Sequence, residues 1–115
     1  MADGRAAQLD LVIIRESTEG LFYSAAFHDR AVIDGAADTS DAISDIMCIT
    51  RHTTQRLHEF GFAYTERHKA RGHAGRLNCV DKANVFRSQA FFRQLFDDVK
   101  AGHPEIEACY SYVDA

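Results

Sequence analysis

The chain has 115 residues, of which 46% are hydrophobic and 26% are charged, and its formal net charge is −4. This length is enough for one domain with its own core and too short for two. The acidic balance argues against nucleic acid as a partner, because no basic excess is present to neutralise phosphates. No apolar run approaches the roughly 20 residues that a membrane-spanning helix needs, so no membrane partner is expected.

Strand-like segments dominate the first half of the chain. Leu9 to Ile14 is a nearly continuous apolar run, which predicts a strand covered on both faces. Leu21 to Phe27 and Ala31 to Ile33 predict the two strands of a hairpin, and Ile43 to Ile49 is a candidate for a further strand. Because a two-stranded ribbon is only marginally stable alone in water, this region is expected to need a partner surface.

A helix is predicted from Arg51 to Arg71. Thr50 can cap its first turn, and Gly72 can adopt the left-handed conformation that ends it. Apolar side chains recur at helical spacing: Leu57, Phe60 and Tyr64. Gly61 lies inside this helix at a cost of about 1 kcal/mol relative to alanine. A tight contact of the helix would explain it, and the sequence alone leaves this open.

The second half of the chain predicts a strand, a helix and a strand in that order. They span Arg76 to Val80, Arg87 to Ala101, and Ile106 to Tyr112. The helix carries one apolar stripe: Phe92, Leu95, Phe96 and Val99. The last strand alternates, with these residues expected to face inward: Ile106, Ala108, Tyr110 and Tyr112. This order predicts a βαβ unit with parallel strands and a right-handed crossover.

Arg15, Lys82 and Asp114 each follow a predicted strand. In open α/β sheets, ligands bind beyond the carboxyl ends of the strands, where these side chains would converge. A guanidinium suits a substrate carboxylate, a lysine amine can act as a base, and an aspartate offers a hard oxygen ligand to Mg²⁺ or Mn²⁺. On these residues alone, the alternative that they are solvated loop charges stays open.

Three motifs contain these residues: Arg-Glu-Ser-Thr-Glu-Gly at 15–20, Val-Asp-Lys-Ala-Asn-Val at 80–85 and Tyr-Val-Asp-Ala at 112–115. In this order and spacing they resemble the β-decarboxylating dehydrogenases, which include isocitrate, isopropylmalate, homoisocitrate, tartrate and D-malate dehydrogenases. The resemblance runs from about Leu9 to Ala115. The variant Arg-Glu-Ser-Thr-Glu-Gly-Leu-Phe is most similar to members described as isopropylmalate or tartrate dehydrogenases.

The resemblance implies an NAD- or NADP-dependent oxidoreductase that uses Mg²⁺ or Mn²⁺. Such an enzyme oxidises a 2-hydroxy acid and then decarboxylates the resulting keto acid. Arg15 would bind the substrate carboxylate, and Lys82 would contact the substrate and act as the base on its hydroxyl. Asn84 would lie near both the nicotinamide and the substrate, and Asp114 would be a ligand of the metal.

The resemblance also implies an α/β fold of the isopropylmalate dehydrogenase type. Residues 1–115 would be a single domain, the smaller and dimer-forming part of a larger dehydrogenase, with residues 21–49 as a β clasp arm. In the implied homodimer, Lys82 and Asp114 would be offered to the partner's active site. Because the family's cofactor-binding region lies outside this chain, the isolated chain is expected to be inactive. The alternative is a free-standing dimerisation or interaction domain that has lost catalysis.

One position departs from the family pattern. The family has a tyrosine seven residues after the arginine, which helps to protonate the enolate, and here that position is Phe22. Tyr23 is adjacent, but neighbouring side chains of a strand point to opposite faces, and only a bulge would bring it into the site. Tyr23 is therefore expected in the core or on the surface, which leaves the proton donor unassigned.

The cysteines and histidines do not predict a metal site. Cys48, Cys79 and Cys109 are odd in number and widely spaced, which favours reduced thiols in a cytoplasmic protein over disulfides or zinc. Four histidines lack the short pairings that zinc sites have: His52, His58, His68 and His73.

Overall fold

The computed structural model describes residues 10–22, 41–42 and 44–113. Helix α1 spans Arg51–Ala70, strand β1 Arg76–Asp81, helix α2 Arg87–Lys100 and strand β2 Glu107–Tyr112. The two strands pair in parallel, in a register that runs from Arg76 opposite Glu107 to Asp81 opposite Tyr112. The predicted parallel βαβ unit is therefore confirmed, and both helix predictions agree with the structure to within one residue at each end.

The ends of α1 follow the predicted signals. The Thr50 side chain accepts a hydrogen bond from the Thr53 N–H and so satisfies one of the free donors of the first turn. Three basic residues occupy the last turn, and Gly72 follows with a φ of +91°, a conformation that favours glycine. Gly61 faces Leu77 of β1, and a Cβ atom at this position would lie 3.6 Å from the Leu77 side chain.

The core lies between the two helices and the inner face of the sheet. Its buried members are Phe62, Cys79, Phe96 and Ile106, and four partly buried residues pack against them: Leu77, Phe92, Val99 and Ala108. The buried His58 ring joins the helices, because its Nε2 donates a hydrogen bond to the Phe92 carbonyl at 3.0 Å. Burial lowers the pKa of His58, since an imidazolium there would lose its hydration.

The predicted burial of alternate residues from Ile106 to Tyr112 is confirmed only for the first two of them. Ile106 is buried and Ala108 is partly buried, as predicted. Tyr110 and Tyr112 are instead 39% and 40% exposed, although both rings contact Arg93 of α2. The Tyr110 ring still contacts the buried Phe96 ring, with centroids 5.7 Å apart, and both tyrosine rings partly cover the Arg93 side chain.

The predicted strand from Leu9 to Ile14 is not formed. Residues 10–14 have no regular secondary structure, and Leu11, Val12 and Ile13 are 62%, 58% and 81% exposed. A parallel strand with two apolar faces needs hydrogen-bonded neighbours and helices on both sides. In the described residues, the sheet consists of β1 and β2, and residues 10–14 are not paired with either.

Most of the predicted clasp arm falls on residues 23–40, outside the described residues. Leu21 and Phe22, which begin the predicted hairpin, lie in a turn and in helical backbone and not in a strand. The candidate strand from Ile43 to Ile49 is represented, within the described residues, by one antiparallel bridge between Gly20 and Cys48. Neither helix has the length and apolar character required to cross a bilayer, among the residues that the structure describes.

Candidate active site

The loop after β1 carries two of the predicted site residues, Lys82 and Asn84. It begins with an Asx turn, in which the Ala83 N–H donates to Oδ1 of Asp81 at 2.8 Å. It closes as a tight turn, because the N–H groups of Val85 and Phe86 both donate to the Lys82 carbonyl at 3.0 Å. The backbone on both sides of Lys82 is thus held by hydrogen bonds.

Asp81 is a buried carboxylate with an ion-pair partner on α2. The Arg93 guanidinium binds it in a bidentate manner, with Nε to Oδ2 at 2.9 Å and Nη2 to Oδ1 at 3.0 Å. These hydrogen bonds raise the pKa of Arg93. The guanidinium carbon lies 5.1 Å and 5.0 Å from the ring centroids of Tyr110 and Tyr112, so this pair joins β1, α2 and β2.

Cys79 completes the surroundings of the Asp81 carboxylate. Its thiol donates to Asp81 Oδ2 at 3.5 Å. Burial raises the pKa of Cys79 to about 12, so the sulfur keeps its proton at neutral pH and stays a donor. Cys79 is accordingly a core residue and a partner of Asp81.

Lys82 faces a cleft beyond the carboxyl ends of the two strands. Its amine lies 5.7 Å from the centroid of the Phe86 ring, and its backbone N–H donates to Oε1 of Gln89 at 3.4 Å. The cleft has a volume of about 590 Å³. The Lys82 side chain shares it mainly with apolar residues: Leu21, Met47, Val80, Val85, Phe86 and Val113.

The chain around Val113 returns to the same edge of the sheet. Its N–H donates to the Asp81 carbonyl at 2.8 Å, so the residue before Asp114 lies beside the base of the Lys82 loop. Asp114 itself lies outside the described residues. Among the residues that are described, no three His, Cys, Asp or Glu side chains form a group that could hold a metal ion.

The first motif is tied to the start of α1. Glu19 accepts two hydrogen bonds from Thr50, from its N–H at 2.8 Å and its hydroxyl at 3.0 Å. Gly20 and Cys48 exchange backbone hydrogen bonds of 2.7 Å and 3.1 Å. The next residue, Leu21, lines the cleft with Lys82. The residue that follows the first motif and Lys82 of the second motif therefore line the same cleft.

Arg15 and Asn84 are less closely associated with that cleft. Arg15 is exposed, and its guanidinium carbon lies 5.8 Å from the Phe22 ring centroid. Asn84 is exposed in the loop. Neither side chain is part of the cleft lining. Phe22 is 46% exposed, and Tyr23 lies outside the described residues, so its predicted place stays a prediction.

The sequence reasoning assigned no role to Asp81, Arg93 or Glu19. A signal was present for Asp81, because it shares the inward face of β1 with Cys79, where an aspartate needs a partner. A second indication was Arg93, a cation that directly follows Phe92 of the apolar stripe of α2.

A family model described as isocitrate/isopropylmalate dehydrogenase matches residues 2–115. The chain belongs to the isocitrate/isopropylmalate dehydrogenase family. The resemblance inferred from the three motifs is thereby confirmed, and the α/β fold is one that this family shares with the solved structures described next.

Relatives in this family include two 3-isopropylmalate dehydrogenases. That of Carboxydothermus hydrogenoformans is 29% identical over 106 residues, which cover 92% of this chain and 26% of the relative. That of Bordetella parapertussis is 32% identical over 106 residues, or 92% of this chain and 28% of the relative. The chain thus spans about a quarter of the length of these curated relatives.

Solved structures of isocitrate/isopropylmalate dehydrogenase family members are also similar. The isocitrate dehydrogenase of Methylococcus capsulatus has a TM-score of 0.67 and 25% identity over 87% of this chain and 27% of its own. A β-decarboxylating dehydrogenase of Thermococcus kodakarensis has a TM-score of 0.51 and 32% identity over 68% of this chain and 22% of its own.

Proposed function

We propose that this chain is part of an NAD(P)- and divalent-metal-dependent oxidoreductase that oxidatively decarboxylates a 2-hydroxy acid. The substrate class is that of isopropylmalate, tartrate, malate or isocitrate. The observation that carries the proposal is the position of Lys82, on an anchored loop beside a cleft at the carboxyl edge of the sheet. Family membership suggests the reaction, and the Val-Asp-Lys-Ala-Asn-Val motif contributes Lys82 to this cleft.

In this proposal, Lys82 takes the proton of the substrate hydroxyl, and Arg15 binds the substrate carboxylate. Asn84 lies near the nicotinamide and the substrate, and Asp114 provides an oxygen ligand to Mg²⁺ or Mn²⁺. When bound, NAD(P) accepts the hydride and the metal polarises the hydroxyl oxygen as a Lewis acid. The cleft lining combines apolar side chains with charged groups, which include Lys82, Asp45 and Arg87.

The proposed assembly is a homodimer in the cytoplasm, with residues 21–49 as a clasp arm. Val80 at the end of β1 and Val85 and Phe86 in the Lys82 loop are 49%, 57% and 41% exposed, and a second subunit would cover such apolar groups. Lys82 and Asp114 would then serve the partner's site. The three free thiols are typical of a reducing compartment.

A second candidate is a free-standing dimerisation or interaction domain without catalysis. One observation favours it: the exposed apolar side chains of Val80, Val85 and Phe86 suit a protein–protein interface whether or not catalysis takes place beside it. If this second candidate is right, Lys82 and Arg15 remain from a catalytic ancestor and bind no substrate.

Turnover by the complete protein that contains this chain distinguishes the two candidates. The protein is incubated with Mn²⁺, NAD or NADP, and one of isopropylmalate, tartrate, malate and isocitrate, while the absorbance of reduced nicotinamide is followed. We expect reduction with at least one acid and none with the isolated 115-residue chain. Absence of turnover by the complete protein with all four acids would favour the second candidate.

A further inference from the structure

We propose that Asp81 and Arg93 are positioning residues that hold Lys82 in its orientation toward the cleft. The inference rests on the proposed function, because it assigns an orienting role within that same site. It is carried by the hydrogen bonds around the Lys82 loop and by the burial of the ion pair at its base.

The first step concerns the backbone of the loop. Asp81 holds the chain before and after Lys82, because its carboxylate accepts the Ala83 N–H and its carbonyl accepts the Val113 N–H. The peptide units on both sides of Lys82 are therefore fixed relative to the carboxyl ends of β1 and β2. Since the direction of a side chain follows from its backbone, these bonds also set the direction in which Lys82 leaves the loop.

The second step concerns what else holds the loop. Asn84, Val85 and Phe86 are all exposed, so side-chain packing covers little of the loop. Its shape depends on hydrogen bonds, and the Asx turn at Asp81 starts that pattern. Loss of this turn would leave the lysine on a less constrained segment.

The third step explains why a charge pair is used. The Asp81 side chain is fully buried, and a buried carboxylate is stable only when its oxygens are paired. Arg93 satisfies both oxygens with the two-pronged geometry that only a guanidinium offers. Tyr110 and Tyr112 of β2 contact that guanidinium, so the carboxylate of β1 is oriented by a side chain of α2 that β2 holds in place.

Kinetics of variants in the complete protein test this role. Asp81→Asn keeps an oxygen that accepts the Ala83 N–H and loses the charge, whereas Asp81→Ala loses both. Arg93→Lys keeps the charge and loses the two-pronged contact. We expect kcat to fall about tenfold in Asp81→Asn and Arg93→Lys and about a hundredfold in Asp81→Ala, as for a small displacement of a reacting group. KM for the 2-hydroxy acid that the wild type turns over should stay within about twofold.

The decisive measurement is the solvent deuterium isotope effect on kcat. A displaced Lys82 makes proton transfer slower and more rate-limiting, so the isotope effect should rise in all three variants. A purely structural role would reduce the fraction of folded enzyme and leave the isotope effect unchanged. Ile106→Ala is the matched control, because Ile106 is buried at the opposite end of the sheet. It should lower stability while kcat per folded enzyme and the isotope effect stay at wild-type values.

Each outcome decides between the possibilities. If Asp81→Asn and Arg93→Lys keep the wild-type kcat while Lys82→Met is inactive, the positioning role is wrong and the proposed function stands. If kcat falls only in proportion to the folded fraction, with an unchanged isotope effect, the role is structural and the inference is wrong. If Lys82→Met itself keeps wild-type turnover, Lys82 is not the base and the positioning role is wrong, while the oxidoreductase activity stands. If the wild-type complete protein turns over none of the four acids, the proposed function is wrong. Should Asp81→Ala fail to fold, the two milder variants decide the question.

Discussion

The unit formed by α1, β1, α2 and β2 buries a core of apolar side chains, whereas residues 10–22 leave most of theirs exposed. In the unit, Phe62 and Leu95 are fully buried, and the strands, helices and loop hold one another by hydrogen bonds and a buried ion pair. In the N-terminal segment, an equally apolar run is exposed, with Ile13 at 81%. Apolar composition alone therefore does not produce order. A run becomes a strand only when neighbouring chain offers hydrogen bonds to its edges and side chains to its faces.

The two regions meet at the Lys82 cleft, which is where the largest effect is expected. Replacing Lys82 by Met in the complete protein should lower turnover by about 10²–10⁴, the usual contribution of a positioned acid–base group. Steady-state kinetics with the accepted 2-hydroxy acid measure this. Lys82→Arg keeps the charge and should not restore activity, because a guanidinium is a very poor base. Near-normal turnover in Lys82→Met would remove the residue from the mechanism.

Truncation of an apolar side chain to alanine should lower stability much more in the core than in residues 10–22. Phe62→Ala should lower the free energy of unfolding by about 3–5 kcal/mol, because it leaves a cavity in the core. Ile13→Ala should change it by less than about 0.5 kcal/mol in this chain, since the side chain is already exposed. Urea unfolding of both variants measures the difference. A large cost of Ile13→Ala in the complete protein would show that another segment covers residues 11–13.

The buried histidine makes the stability of the unit depend on pH. Burial lowers the pKa of His58, so the unfolded chain binds a proton at higher pH than the folded one does. The contribution of the neutral ring to stability is complete above its ordinary pKa of about 6.5 and is lost as the pH falls below that value. Urea unfolding at about pH 7.5 and about pH 5.5 should show weaker stability at the lower pH. The dependence should be smaller in His58→Gln, and equal slopes in both proteins would contradict this assignment.

The hydrogen bonds between Glu19 and Thr50 connect residues 10–22 to the start of α1 and should stabilise the fold. Glu19→Ala removes two hydrogen bonds to Thr50 at the start of α1, where a negative charge is also favourable. We expect a loss of about 1 kcal/mol in the free energy of unfolding. Glu16→Ala is the control, because Glu16 accepts its hydrogen bonds from Thr18 within its own motif. Equal losses in both variants would show that the tie to α1 has no special effect.

A small gain in stability is expected from one substitution within the unit. Gly61→Ala would place a methyl group 3.6 Å from Leu77, which is ordinary van der Waals contact. The substitution also removes the helix penalty of glycine, so the free energy of unfolding should rise by about 0.5–1 kcal/mol. Thermal unfolding measures this, and a lower midpoint would show that the α1–β1 contact is tighter than the distance indicates.

The sequence by itself determined the features that depend on local signals. Thr50 and Gly72 predicted both ends of α1, because capping and left-handed turns act within one or two turns of helix. The order of strand, helix and strand predicted parallel pairing of β1 and β2, since a crossover of that length leaves few alternatives. The motif around Lys82 identified the family, which the match over residues 2–115 confirmed.

Only the tertiary structure decided which distant residues meet. Asp81 and Arg93 are separated by 12 positions, and their ion pair forms because the crossover returns α2 to the end of β1. Glu19 and Thr50 are 31 positions apart, and no local pattern links them. The apolar run at residues 10–14 is a second case in which a local pattern is not sufficient, because the predicted strand is not formed. Whether it forms a strand depends on the chain that packs beside it, which a local hydrophobic pattern does not specify.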